Sequence, residues 1–232
     1  MIDRRQFLWL TGTSVLAACN SEGPKSAQRL LRYAERKNEI VERGLFRHTS
    51  MDVAGSSVPN TGVAFPMYYI ASAVPVWNVA TAGPWTLEVS GAVDRPLRLS
   101  LDDLTRLPHL TQRVNHYCVE GWTAVASWTG VRVSELARLA GRHADAQYVD
   151  FQSFDDGYHE SWDIESALHP QTLIAYGMDG HFLGPGHGGP ARVYSPVKLG
   201  YKNTKYLTKV VFLPTRNGGY WSDQGYEWYG GV

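Results

Sequence analysis

The chain is poor in cysteine. Among 232 residues only Cys19 and Cys118 carry a thiol, too few for a disulfide framework or a structural zinc set. A Cys-x-x-Cys-His haem-attachment motif is missing, as is any iron–sulfur cysteine set. An excess of one charge is missing too: Lys plus Arg is 22 and Asp plus Glu is 22. That balance excludes nucleic-acid binding by bulk electrostatics. The apolar run Leu8–Ala18 covers 11 residues and contains Gly12 and three hydroxyl side chains. It falls short of the roughly 20 residues that cross a bilayer. There is no internal repeat and no low-complexity tract.

What is present begins at the N-terminus. Asp3-Arg4-Arg5-Gln6-Phe7-Leu8 carries a twin arginine, and Leu16-Ala17-Ala18-Cys19 resembles the lipobox of bacterial lipoproteins. The expectation is that residues 1–19 are a twin-arginine lipoprotein signal, with Cys19 lipid-anchored in the periplasm or cell envelope. Such signals resemble those read by the bacterial pathway that exports folded proteins, often with a cofactor already inserted. Cys118 is then a lone thiol in an exported protein: a buried bystander, a nucleophile or a metal ligand.

Residues 20–79 read as a tether and an N-terminal arm. Within them Ser26 to Val41 has the pattern of an amphipathic helix capped by Ser26. Val53 to Gly83 reads as irregular chain that wraps the domain. Residues 80–232 carry the core signals. Trp85–Ser90 alternates as a strand and a second strand ends near Leu99. Ser100 caps a short helix, Leu101 to Leu107, with Asp102 and Asp103 in its first turn. A strand through Arg113 and Val114 delivers Cys118 at its end. Ser134–Ala140 is helical and stops at Gly141, and Ile164–Leu168 is a helical turn or two. Further strands fall at Tyr148–Phe154, Leu173–Tyr176, Ala191–Tyr194 and Lys209–Leu213. The mix predicts an α+β domain with mixed or largely antiparallel sheets and short helices.

Two constellations carry chemistry. Cys118 sits beside His116, Glu120, Trp122 and Trp128; a thiolate is a soft metal ligand and, at lowered pKa, a nucleophile. A glycine- and proline-rich run from Gly184 to Pro190 precedes Arg192, and Lys198, Lys202 and Lys205 follow. Backbone amides, an arginine fork and a basic helix start suit an anion or phosphate. An ordinary turn with a solvated basic face is the bland alternative.

Three separated motifs resemble, in the same order, the molybdopterin-binding domain of the sulfite oxidase family. They are Trp85-Thr-Leu-Glu-Val-Ser-Gly91, Cys118-Val-Glu-Gly-Trp122, and Gly189-Pro-Ala-Arg-Val193 with Gly200-Tyr-Lys-Asn-Thr-Lys205. The resemblance is to the small bacterial branch related to the periplasmic methionine sulfoxide reductase catalytic subunit, whose look the terminal Gly219-Tyr-Trp and Gly225-Tyr-Glu-Trp-Tyr-Gly-Gly231 share. It implies a sulfite oxidase-type fold and a molybdenum-molybdopterin cofactor. Cys118 is then the protein thiolate on molybdenum, and Arg192 grips the pterin phosphate. Asn203, Thr204 and Lys205 hold the cofactor, Ser153 lies near the pterin, and His187 stands where the reductase has Asn. Tyr68, Tyr69 and Ser72 fall in the arm that contacts the cofactor, and His116 either bonds the pterin or shapes the cavity. Glu120 and Gly121 are expected to set the loop geometry.

The activity implied is two-electron oxygen-atom transfer to or from a small-molecule substrate, with reduction of a sulfoxide or similar oxide favoured. Sulfite-type oxidation is the alternative, and it asks for an arginine cluster of which Arg113 is the one candidate near the thiol. The chain stops at Val232, short of the dimerisation domain of sulfite oxidases. The expectation is therefore a lone catalytic module fed by an external redox partner, a membrane or periplasmic haem protein. A catalytically silent envelope lipoprotein and a Cys118–His116 thiol enzyme are the readings from other classes.

Overall fold

The computed structural model describes residues 25–46, 50–61 and 65–232. The twin-arginine pair and Cys19 lie outside the described residues. The chain divides into two compact units, Met1–Leu45 and Phe46–Val232. In the first, helix α1 spans Lys25–Leu45. Ser26 therefore lies inside the helix instead of capping it, and the helix runs four residues past Val41. The i,i+4 pair Arg43–Glu39, 3.2 Å apart, supports that added turn.

The second unit follows the order α2 (Val79–Ala82), β1 (Thr86–Gly91), β2 (Leu97–Ser100), α3 (Leu101–Arg106), β3 (His109–Tyr117) and β4 (Thr123–Arg132). Then come α4 (Val133–Ala140), β5 (Tyr148–Ser153), β6 (His159–Asp163), α5 (Ile164–Ala167), β7 (Leu173–Met178), β8 (His181–Phe182), β9 (Arg192–Tyr194) and β10 (Leu207–Leu213). Two five-stranded sheets result. One has the order β2-β1-β10-β5-β6; the other runs β3-β4-β7-β8, with β9 also on β7. Only β1–β10 is parallel among the described pairs, so the α+β reading with mixed, mostly antiparallel sheets holds.

Local chemistry explains the elements. In β1, Leu87 and Val89 are buried and Glu88 between them is exposed, the period-two pattern of a half-buried strand. Ser100 and Asp103 form a reciprocal capping box on α3. Gly141 ends α4 in the left-handed conformation at φ 66°. The main core joins Leu87, Val89, Leu104, Leu136, Phe151, Trp162 and Phe212. A second cluster gathers Phe65, Val114, Ala126, Trp128, Leu173 and Tyr194 under the β3–β4 hairpin.

Two lysines pin the C-terminal chain to this frame. Lys198 is fully buried and donates to Asp163 at 2.7 Å and to the Tyr229 carbonyl at 2.6 Å. Lys202, equally buried, donates to Glu160 at 2.5 Å. Glu160 also accepts from the Trp221 amide at 3.0 Å and the Ser222 hydroxyl at 3.2 Å. Both carboxylates come from β6 and its end, and Asp163 also caps α5 by accepting from the Ser166 amide. Asp163→Ala strands the Lys198 ammonium in the core, and urea unfolding is expected to show a loss of about 3–5 kcal/mol. A loss under about 1 kcal/mol would mean that the pair is not structural.

Candidate active site

Cys118 follows the end of β3, Ser153 ends β5 and Arg192 begins β9, whereas Tyr68, Tyr69, Asn203 and Lys205 lie outside the strands. β3 and β4 are joined by the tight turn Cys118–Trp122, in which the Gly121 amide donates to the Cys118 carbonyl and the Cys118 amide to the Trp122 carbonyl, both at 3.0 Å. Gly121 takes φ 86°, open to glycine and strained for other residues. The hairpin thus lifts Cys118 out of the sheet, half-buried. Desolvation raises its thiol pKa, so the free thiol is not an activated nucleophile. His116, buried on β3, is held between Trp122, Phe65 and Tyr194 at ring separations of 5.7, 5.0 and 5.8 Å. Burial first, then Arg192, pushes its pKa down to about 3; it is a neutral imidazole without an orienting carboxylate, which removes the basis of the thiol-enzyme reading.

The glycine-rich run does not extend into a basic helix. Gly200–Lys202 is a single 3-10 turn, and the four cations sort into two kinds. Lys198 and Lys202 are spent on Asp163 and Glu160. Arg192 and Lys205 pair with no carboxylate among the described residues. The Arg192 guanidinium is buried and donates to the carbonyls of His187 at 3.1 Å and Asn203 at 3.0 Å, and it lies 5.1 Å from the Trp128 ring. Lys205 donates to the carbonyls of Tyr68 at 2.8 Å and Gly186 at 3.1 Å. Desolvation lowers Arg192 to about 10 and, with the repulsion of Arg192 added, Lys205 to about 7. Gly188, at φ 94°, lets the backbone close on Lys205: a Cβ there would meet the lysine side chain at 2.8 Å.

These groups face one cavity of about 370 Å³, within the ordinary range for a small-molecule site. Of the residues singled out from sequence, Tyr68, Tyr69, His116, Cys118, Ser153, Arg192, Asn203 and Lys205 line it. The Asn203 side chain is consumed by the loop, accepting from the Ser195 amide and donating to the Lys198 and Leu199 carbonyls. His187 and Thr204 do not line the cavity, and Ser72 is exposed outside it. His187 packs its ring on Phe65 at 5.9 Å and its carbonyl holds Arg192. Thr204 is fully buried.

The structure adds Phe65, Tyr158, Tyr206, Trp221, Tyr226 and Asp155 to the lining. Trp221 and Tyr226 belong to motifs visible in the sequence, but nothing there showed that the tail folds back over the site. Glu120 also has more than a loop role. Its Oε2 accepts from the Tyr68 hydroxyl and the Trp122 indole, both at 3.1 Å, and lies 4.0 Å from the Cys118 sulfur.

The residues fit a phosphorylated pterin that carries a soft metal. Two cations without a carboxylate partner among the described residues, a half-buried thiol and several aromatic rings line the same cavity. The buried His116 Nδ1 and Tyr206 hydroxyl, both on residues that line the cavity, have no hydrogen-bond partner, which is costly unless a ligand supplies one.

Comparison with known proteins agrees. The oxidoreductase molybdopterin-binding domain model matches residues 72–221, and the chain belongs to that sulfite oxidase-like family. It is therefore a molybdopterin-binding oxidoreductase. It is 38% identical to a putative protein-methionine-sulfoxide reductase subunit, YedZ1, of Azospira oryzae, across 98% of this chain and 87% of that one. It is 31% identical to the oxidoreductase YuiH of Bacillus subtilis, across 77% and 90%. With the protein-methionine-sulfoxide reductase catalytic subunit MsrP of Campylobacter jejuni it shares 30% identity, across 63% and 54%. The sulfane dehydrogenase SoxCD of Paracoccus pantotrophus has the same fold, with a TM-score of 0.54 at 21% identity over 56% of this chain and 38% of that one.

The lysine shift fixes a pH dependence. In the cofactor-free fold Lys205 releases its proton near pH 7, against 10.5 in the unfolded chain. Between those values the unfolded chain binds more protons, so stability rises with pH. Lys198, lowered to about 8, acts in the same direction. Chemical unfolding of cofactor-free protein from pH 7 to 10 should show this rise, and Lys205→Met should flatten it without abolishing it. An unchanged slope in the variant would contradict the assignment.

Proposed function

We propose that this chain is the catalytic module of a cell-envelope oxygen-atom-transfer enzyme that reduces a sulfoxide or a similar oxide. In this reading Cys118 gives its thiolate to molybdenum, and Arg192 with Lys205 holds the pterin phosphate. The observation that carries it is that the cations Arg192 and Lys205, without a carboxylate partner among the described residues, line one cavity together with the Cys118 thiol. When bound, the cofactor supplies the two-electron redox chemistry.

The chain's own residues do the rest. Arg192 presents a rigid fork whose backbone hydrogen bonds fix its direction. A phosphate beside Lys205 favours its protonated form and so reverses the shift seen without a ligand. Tyr68, Trp122, Trp221 and Tyr226 narrow the mouth and exclude water, which strengthens charge contacts within. Sulfoxide reduction consumes two electrons and two protons and yields a sulfide and water. Glu120 holds an exposed carboxylate beside the thiol, where it can relay one of these protons while Tyr68 and Trp122 fix its position. The electrons come from an external redox partner, for which we propose a membrane or periplasmic haem protein. Twin-arginine export and a lipid at Cys19 would keep the module near it.

The direction of reaction rests on Arg113. Its guanidinium donates to the carbonyls of Ala54 at 3.1 Å and Gly55 at 2.7 Å and to Asn60 at 2.9 Å, and it is not among the cavity residues. Among the described residues Arg192 is then the one arginine of the cavity, and in this reading it is taken by the pterin phosphate, which leaves none for a sulfite-like oxyanion. With purified holoenzyme, methyl sulfoxides plus a reduced dye are expected to turn over, while sulfite plus ferricyanide is not; the opposite preference would overturn the reading. Glu120→Gln should keep its molybdenum and lose about 10²–10⁴-fold in kcat. Full activity in that variant would remove Glu120 from proton transfer.

A further inference from the structure

The helix that precedes the catalytic domain has a surface the oxidoreductase reading does not use. Over Lys25–Leu45, helical spacing puts Leu30, Ala34, Val41 and Leu45 on one stripe with Leu31 beside it. These large side chains are open to solvent: Leu30 is 68% exposed, Leu31 59%, Val41 56% and Leu45 72%. Lys37 and Asn38 fall at the middle step of the stripe, and a lysine there can lay its methylenes along apolar surface with its ammonium in water. Arg29, Arg36 and Arg43 occupy the opposite side, where Arg43 pairs with Glu39. The segment as a whole has six Lys or Arg against three Glu. It is therefore an amphipathic helix of net charge +3 in a chain that is neutral overall.

Three occupants of the stripe can be weighed: a second copy, a protein partner and a bilayer surface. A second copy would set two cationic helices face to face, which repels. The charge favours an anionic surface, and the strong amphipathicity of a segment too charged to cross a bilayer is the mark of a helix lying in the interface. No described helix is long and apolar enough to cross. We infer that α1 lies flat on the anionic headgroups of a bilayer, with Leu30, Val41 and Leu45 inserted, Lys37 between them at the level of the phosphates, and the net positive charge of the helix drawing it to the surface.

The sequence fits this placement. Cys19 precedes the helix by the five-residue stretch Asn20–Pro24, which reaches at most about 20 Å. A lipid at Cys19 and an inserted α1 would then act on the same patch of membrane, and two weak anchors together hold far better than one. The helix's own chemistry carries the inference whether or not Cys19 is lipidated, and independently of the reaction catalysed.

The test uses the full chain with Cys19→Ser and vesicles of phosphatidylcholine with or without phosphatidylglycerol. Flotation is expected with the anionic vesicles, falling in high salt. Leu30→Glu with Val41→Glu should weaken it at least about tenfold, with no effect on activity in detergent-free buffer. Hydrogen exchange separates α1 from the apolar run Leu8–Ala18: amides of residues 25–45 should slow about tenfold with anionic vesicles and much less with neutral ones. Unchanged exchange across residues 25–45, or equal partition of the parent and the double variant, would overturn the inference. Binding of neutral and anionic vesicles alike would overturn the headgroup part of it.

Discussion

Arg192 is a full positive charge buried without a carboxylate, and the site is built around that imbalance. Burying a lone cation is expensive, and three backbone carbonyls, those of Val193, His187 and Asn203, only partly compensate it. The Gly184–Ala191 loop supplies the His187 carbonyl, the segment after Lys202 supplies that of Asn203, and the strand β9 itself supplies that of Val193. Burial, with the uncompensated charge of Arg192 added, holds Lys205 far below its ordinary pKa. A protein keeps two such cations side by side at a cost to its own stability, and a bound anion repays it. That is why the phosphate end of a cofactor is the natural complement of this cavity, and why the site reads as waiting for a ligand instead of as a core defect.

The contrast with Lys198 and Lys202 sharpens the point. All four cations lie within 14 residues of sequence, yet two are neutralised by Asp163 and Glu160 and serve as posts for the C-terminal chain. That chain brings Trp221 and Tyr226 to the cavity. The four cations are thus sorted into two kinds by the presence or absence of a partner on β6. The aromatic walls follow the same economy: His116, Tyr194 and Trp128 stack in succession, the last two at 4.1 Å, and give Arg192 a polarisable face in place of water.

Much of this was legible in the sequence, for reasons that differ by element. β1 announced itself through Leu87 and Val89 alternating with Glu88, and α3 through Ser100 and Asp103. Cys118 and Arg192 stood out because their motifs are dense and their chemistry specific. β6 was not legible. His159-Glu-Ser-Trp-Asp163 reads as a polar loop, and its burial depends on lysines about 35 to 42 residues away. β4 was missed because its small residues weaken the pattern; Gly130 among them leaves room for the backbone of Ile174 and Ala175. Sequence also presented the basic cluster as one anion site, and only tertiary pairing divides it. The family motifs located Asn203 correctly at the cavity, but its amide turns out to build the loop.

The central claim is that Cys118, Arg192 and Lys205 form one molybdopterin site. The most direct measurement is elemental analysis of protein from cells that make the cofactor, with X-ray absorption at the molybdenum edge for the parent chain and Cys118→Ser. The account predicts about one molybdenum per chain and one fewer sulfur neighbour in the variant. A well-folded parent chain without molybdenum, or an identical sulfur shell in both proteins, would contradict it.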